Sequence, residues 1–289
     1  MGEKDIAEKN LEAFNDVFAD IVNVLLFKGN KLMKEKDLES AVKDSMFKAD
    51  GKIHQQERDV SKFWKNGEIR ISILGFENQT NPDKDMPLRV ISYDGASYKQ
   101  QLLDNEKGKK DDTTKKSLYP VVTLVLYFGT DEKWSTHKNL LSCFKVPEEL
   151  KPFVNDYKIN VFNIAWLSNK TIDMFQSDFK IVAKYFQTVR LKRDYKGSNE
   201  EIKHVDALQK MLSALTGDNS FEEAYNVGNL KKGGVTMCEV VEMIKNEGKA
   251  ELIRKMLDTN FATEQQIADL LKISVKEVKK IAAKVPVQA

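Results

Sequence analysis

The run Tyr119-Pro120-Val121-Val122-Thr123-Leu124-Val125-Leu126-Tyr127-Phe128 constrains the fold more than any other stretch of the chain. It is nearly apolar on both of its alternating faces, so a strand there must be covered from two sides. The flanking patterns supply the cover. Phe14, Val17, Phe18, Ile21, Val22 and Leu25 recur with the spacing of one helical stripe, and Asp16, Asp20 and Asn23 lie off it. Met86 to Leu103 reads as a helix despite Gly95, helical patterns dominate from Asp173 onward, and Lys158 to Leu167 reads as a second buried strand. These alternations predict an α/β domain with a mixed sheet flanked by helices.

Two further strands are expected upstream, Arg58 to Trp64 and Ile69 to Glu77, joined at Lys65-Asn66-Gly67. Asn-Gly tolerates the positive φ that a tight turn needs, which makes this a hairpin signal. Gly29 to Gly51 is lysine-rich and reads as loop with at most one helical turn, and Asn105 to Ser117 reads as a solvated, charged loop.

The hairpin carries a carboxylate arrangement. Glu77 and Gln79 point to one face of their strand, and Asp59 sits on the preceding strand. Two carboxylates on one sheet face form a hard, oxygen-rich site suited to Mg²⁺ or Mn²⁺, which can activate water against a phosphodiester. The register decides whether they share a face. A two-residue turn sets Asp59 opposite Leu74, on the wrong side. A three-residue loop or one bulge sets Asp59 opposite Gly75 and Glu57 opposite Glu77, and that offset is the expectation.

Other chemistries find no support. The three histidines, His54, His137 and His204, make no zinc spacing, and neither a glycine-rich phosphate loop nor a serine elbow occurs. Cys143 and Cys238 match no metal or redox spacing, and the charged N-terminus lacks the apolar region of a signal peptide. A cytoplasmic protein with no membrane partner is expected. Net charge is only +2, so a nucleic-acid surface must be a local patch. Arg190, Lys192, Arg193 and Lys196 form one candidate, and the Lys107 to Lys116 loop another.

Three parts follow: a domain over residues 1–200, a helical connector over 201–244, and a small helical unit over 245–289. In the last, Thr263-Glu264-Gln265-Gln266 and Ser274-Val275-Lys276-Glu277 both read as capping boxes bracketing a helix-turn-helix-like pair. Its second helix can present Lys276, Lys279 and Lys280 to DNA, or the pair can serve packing and homo-oligomer formation.

Several spaced blocks carry a resemblance. Glu57-Arg58-Asp59-Val60-Ser61-Lys62, Gly75-Phe76-Glu77-Asn78-Gln79-Thr80, Met86-Pro87-Leu88-Arg89-Val90, Tyr93-Asp94-Gly95 and Tyr119-Pro120-Val121-Val122 together resemble the Rpn family of recombination-promoting nucleases and YhgA-like transposases. The likeness runs from about Phe14 to Leu167. It implies a PD-(D/E)XK restriction-endonuclease-like core and metal-dependent DNA cleavage linked to recombination or mobile elements. By the same resemblance Asp59 and Glu77 bind the metal, the Asn78 carbonyl is a further ligand, and Gln79 takes the place of the superfamily lysine. An acid on the first helix completes such sites, with Asp16 the candidate and Asp20 the reserve. Neutral Gln79 can hydrogen-bond to phosphate or orient water but cannot supply the lysine's charge. Two alternatives follow, a DNA-binding protein that keeps the fold without turnover, and a scaffold assembled through the C-terminal helices. Tyr93, Tyr98 and Gln101 either approach the site or pack in the core.

Overall fold

The computed structural model describes residues 11–40, 44–49, 52–57, 60–65, 69–74, 82–108, 118–227 and 234–283. In chain order the elements are α1 (Asn15–Leu25), β1 (Leu38–Ser40), β2 (Asp44–Ala49), β3 (Lys52–Glu57), β4 (Val60–Trp64), β5 (Ile69–Leu74), α2 (Met86–Gly108), β6 (Val121–Tyr127), β7 (Asn160–Asn163), α3 (Phe179–Arg190), α4 (Val205–Thr216), α5 (Ser220–Val227), α6 (Met237–Asp258), α7 (Glu264–Leu271) and α8 (Val275–Ala282).

Five strands form one mixed sheet in the order β1-β4-β5-β6-β7, and β2 pairs with β3 in a separate ladder. The β1–β4 and β4–β5 pairs are antiparallel, whereas β5–β6 and β6–β7 are parallel. Helices cover both faces, as the apolar β6 requires. On one side, Val60, Ile71, Leu124 and Leu126 pack with Val17, Phe18, Ile21 and Val22 of α1 and with Phe179, Val182 and Phe186 of α3. On the other, Val125 and Tyr127 pack with Met86, Val90 and Tyr93 of α2. The protein is thus mixed α/β with helices on both sides of the sheet.

Polar side chains off the α1 stripe fix that helix in place. Buried Asn23 brackets the backbone of Met33, donating to its carbonyl at 2.8 Å and accepting its N–H at 2.9 Å. Asp20 accepts the backbone N–H groups of Gln176 and Ser177 and the Ser177 hydroxyl, at 2.8, 2.8 and 2.7 Å. The Asn23 pair satisfies backbone of Met33 that would otherwise be buried unpaired.

Helix α2 extends to Gly108, further than its apolar pattern suggested, and a Cβ at Gly95 would meet nothing within 4 Å. Tyr93 packs in the core. Gln101 pairs with both backbone groups of Tyr119, at 3.0 and 2.9 Å, and the Tyr98 hydroxyl accepts the Val121 N–H at 3.0 Å. Those two side chains therefore anchor the entry to β6.

Three expectations need correction. The stretch 29–51 holds strands as well as loop, because β2 and β3 pair from Asp44↔Glu57 to Ala49↔Lys52. Asp50-Gly51 between them is a hairpin signal that the surrounding lysines obscured. The second buried strand spans only Asn160–Asn163, after which Ile164–Trp166 turns into a 3₁₀ segment. Ser274 caps α8 by accepting the Glu277 N–H but lacks the reciprocal bond of a full box, which is made at Thr263/Gln266 and at Thr236/Glu239.

Ile202, Leu208, Leu212, Phe221 and Val240 join the same core as α1 and α3. The chain then crosses position 245 inside α6 without a break. Ile253, Ile267, Ala268 and Val278 form a separate small core among α6, α7 and α8. No helix among the described residues is long and apolar enough to cross a membrane.

Candidate functional site at the carboxyl end of the sheet

The parallel strands β5, β6 and β7 share one carboxyl end, and β4 begins there. Val60, the first residue of β4, pairs with Ile73, and Leu74, the last of β5, pairs with Val125. Asp59, Glu77, Asn78 and Gln79 lie outside the described residues, yet the strand ends that adjoin them meet at this edge.

The register differs from expectation. Pairing runs without a break from Val60↔Ile73 to Trp64↔Ile69, the register of a two-residue turn, so no bulge lies within this ladder. Glu57 pairs with Asp44 in the smaller ladder. A shared face for positions 59 and 77 therefore requires a one-residue offset before Val60 or after Leu74.

The first-helix acids are engaged elsewhere. Asp16 accepts Lys203 Nζ at 2.7 Å and lies 3.1 Å from His204 Nε2, whose ring stacks on Phe14 with centroids 3.8 Å apart. Burial pushes the Asp16 carboxyl up, but hydrogen bonds from Lys203 and His204 outweigh it and hold the group below its ordinary value. Asp20 caps the turn at Gln176 and Ser177. Among the described residues no group of three or more His, Cys, Asp or Glu side chains is arranged to hold a metal ion. Asp16 and Asp20 are thus both engaged by protein partners in this structure.

Two buried charges escaped the sequence reading. Glu12, on the turn before α1, is 0% exposed, and Lys62, on β4, is 3% exposed with its ammonium 5.9 Å from the centroid of Phe18. Neither is marked by composition or spacing, because a charge among apolar neighbours looks in sequence like a solvated one. A third buried group lies on the α2 side. Asp94, 2% exposed, accepts the Thr123 hydroxyl at 2.6 Å and the Tyr157 hydroxyl on its other oxygen. That network ties α2 to β6 and to the segment entering β7.

Of the cationic candidates, the loop from Lys109 to Lys116 lies outside the described residues, and the others fall in two places. Arg190 ends α3 and lies 4.6 Å over the ring of Trp166, with Lys192 and Arg193 exposed just beyond it. Lys276, Lys279 and Lys280 are exposed on α8, and Lys279 reaches Glu264 at 3.4 Å. A third positive cluster, unmarked in the sequence, flanks β7. Burial lowers the Lys138 pKa, and neighbouring Lys133 and Lys158 lower it further.

Neither characterised proteins nor solved structures gave a match to this chain. A family model does match, over residues 64–216, which is more than half of the 289 residues and contains the sheet from β5 to β7 together with α2, α3 and α4. On that match, the chain belongs to the family described as "Putative transposase, YhgA-like".

Proposed function

We propose that the protein is a metal-dependent DNA endonuclease of PD-(D/E)XK type, serving recombination or a mobile element. The observation that carries the reading is the meeting of strand ends, Val60 opposite Ile73 and Leu74 beside Val125. Asp59 precedes the first of these residues and Glu77 follows the last of the β5 ladder, so both candidate carboxylates belong to chain leaving one edge of one sheet. Membership of a transposase family supports DNA as the substrate.

In this reading Asp59, Glu77 and the Asn78 carbonyl would hold Mg²⁺ or Mn²⁺. The metal would supply positive charge to the scissile phosphate and a more acidic water. Gln79 hydrogen-bonds to a phosphate oxygen or orients the attacking water, without the charge a lysine would bring. DNA is held by the cations of α3 and α8.

Plasmid nicking with Mg²⁺ or Mn²⁺ tests this directly, comparing wild type with Asp59→Ala and Glu77→Ala. Cutting by wild type and by neither variant sustains the reading. Equal cutting by all three, or none by wild type, overturns it.

A second reading has its own support in the separate core of the C-terminal unit. That unit can bind DNA while the sheet domain does no chemistry. Salt-dependent DNA binding with no metal-dependent cutting selects it. The same unit exposes Leu252, Phe261 and Leu270, at 51%, 77% and 66%, which supports self-association through these helices. Sedimentation of the full chain reads that directly.

A further inference from the structure

Arg190 is held differently from the other cations of the surface. Its Nε donates to the Ala165 carbonyl at 2.8 Å, and its guanidinium carbon lies 4.6 Å over the Trp166 ring. Trp166 is fixed in turn, because its indole N–H donates to the Gly129 carbonyl at 3.1 Å. The guanidinium is thus clamped by a ring and a carbonyl before any ligand arrives, and its side chain remains partly exposed. An arginine so placed loses little conformational freedom when its remaining N–H groups bind.

The place matters as much as the clamp. Gly129 lies two residues past the end of β6, at the carboxyl end of the sheet, and Ala165 and Trp166 follow β7 at the same end. That is the edge where β5 stops at Leu74 and β4 starts at Val60. Gly129 itself has no room for a side chain, since a Cβ there would come within 2.0 Å of the Tyr127 hydroxyl. The carbonyl that anchors Trp166 is therefore held by a close-packed corner.

No carboxylate neutralises Arg190 among the described residues, although Asp131 and Glu132 lie close after Gly129 in the chain. Three cations of the neighbouring elements are paired: Lys180 meets Glu200, Lys203 meets Asp16, and Lys245 meets Asp194. Past Arg190 the chain turns through Lys192 in the left-handed region (φ 53°), placing Lys192 and Arg193 on the exposed end of α3.

We propose that the Trp166-clamped Arg190, flanked by Lys192 and Arg193, is a docking point for backbone phosphates of a nucleic acid. It seats the strand at the carboxyl end of the sheet. A planar guanidinium offers paired N–H donors that match phosphate oxygens, and contacts of this kind position a nucleic acid without reading its sequence. The inference rests on the nuclease reading for its biological purpose, but its test needs no cutting.

The experiment is DNA binding in EDTA, measured by anisotropy of a fluorescein-labelled 20-base-pair duplex between about 50 and 200 mM salt. One phosphate contact contributes about 0.9 to the slope of log K against log salt. Arg190→Gln should lower that slope by about 0.9, so its affinity deficit shrinks about 3.5-fold across that salt range. Arg190→Lys keeps the charge and loses the stacked plane. It should keep the slope and bind several-fold more weakly, and it serves if Arg190→Gln does not fold. An unchanged affinity and slope in Arg190→Gln overturns the proposal, as does weaker binding with an unchanged slope in that variant. Binding to phosphatidylserine vesicles in place of DNA overturns it too. Because the assay is run without metal, a wild type that does not nick in Mg²⁺ but still shows the slope change in Arg190→Gln would indict the catalytic reading alone.

Discussion

Asp16 binds Lys203 and His204 at once, 2.7 Å from Nζ of the first and 3.1 Å from Nε2 of the second, and so ties the start of α1 to the start of α4. Its carboxyl is held below the ordinary 3.8, burial pushing it up and the Lys203 and His204 hydrogen bonds pulling it further down. A depressed carboxylate contributes stability that is fully present above its unfolded pKa and lost as pH falls through the folded value. Lys203 is raised above 10.5, chiefly by its hydrogen bond to Asp16, so its share is present below 10.5 and lost as pH rises through its folded value. Lys203 is 66% exposed, which discounts the pair to about 1 kcal/mol. Urea unfolding of Asp16→Asn should show that deficit at pH 7 and a shrinking one below about pH 4. Nicking by the variant should stay within a few-fold of wild type, because the carboxylate serves structure. A variant as stable as wild type throughout, or one that has lost metal-dependent cutting, sinks this assignment.

Asp94 supports a larger effect. It is 2% exposed and accepts two hydroxyls, from Thr123 and Tyr157. Asp94→Ala removes the acceptor from both; leaving the buried Thr123 hydroxyl unsatisfied costs about 1–3 kcal/mol, and losing the bond from the half-buried Tyr157 hydroxyl adds about 1 kcal/mol. A loss of about 2–4 kcal/mol is expected, against about 1 kcal/mol for Tyr157→Phe, which removes one bond and leaves Thr123 paired. Denaturant midpoints at constant slope measure both. Equal losses in the two variants would mean that Thr123 adds nothing.

Much of this fold was legible because burial on two faces leaves a continuous apolar run, as at Val121–Tyr127, and burial on one helical face leaves a stripe, as at Val17, Phe18, Ile21 and Val22. The β2–β3 pair was hidden, since its residues alternate little and lysines dominate the stretch before it. β7 was overread, because Ile164 and Ala165 are buried in a 3₁₀ turn and buried apolar residues read alike in strand or turn. The functional region divides in the same way. Arg190 was visible as a charge, but Trp166 lies 24 positions before it and only the fold brings the ring beneath the guanidinium. Asp16 was visible as a carboxylate, whereas its partners lie in a distant part of the chain. Sequence spacing reports neighbours on one element. Long-range partners follow from packing.

Gln79 sets the expected speed of the chemistry. A neutral amide stabilises charge developing on phosphate less well than an ammonium does, and single donors of this kind are worth about 10²–10³ in rate where they have been removed. Gln79→Lys should therefore raise metal-dependent nicking, by about tenfold or more at saturating Mg²⁺. Asp59→Ala in the Gln79→Lys background should abolish the gain, since the lysine assists the metal and does not replace it. A Gln79→Lys variant that cuts no faster, while binding DNA as wild type does, would remove this position from the reaction.

The C-terminal unit can be tested by loosening its core without touching its surface. Ile267 is 0% exposed and packs with Ile253, Ala268 and Val278 in a cluster separate from the main core. Replacing it with alanine should cost about 2–5 kcal/mol, which is comparable to the stability a core this small can supply. The α7–α8 pair should then melt first, with the sheet domain's own transition unmoved. If α8 holds DNA, Ile267→Ala should weaken duplex binding about tenfold. Lys276→Gln with Lys280→Gln should lower the salt slope by about 1.8, the share of two phosphate contacts. Lys279 already meets Glu264 at 3.4 Å, so Lys279→Gln should change the slope least of the three. A melted unit that leaves binding and slope as they were would assign DNA contact to the sheet domain alone. The exposed Leu252, Phe261 and Leu270 would then mark these helices for self-association.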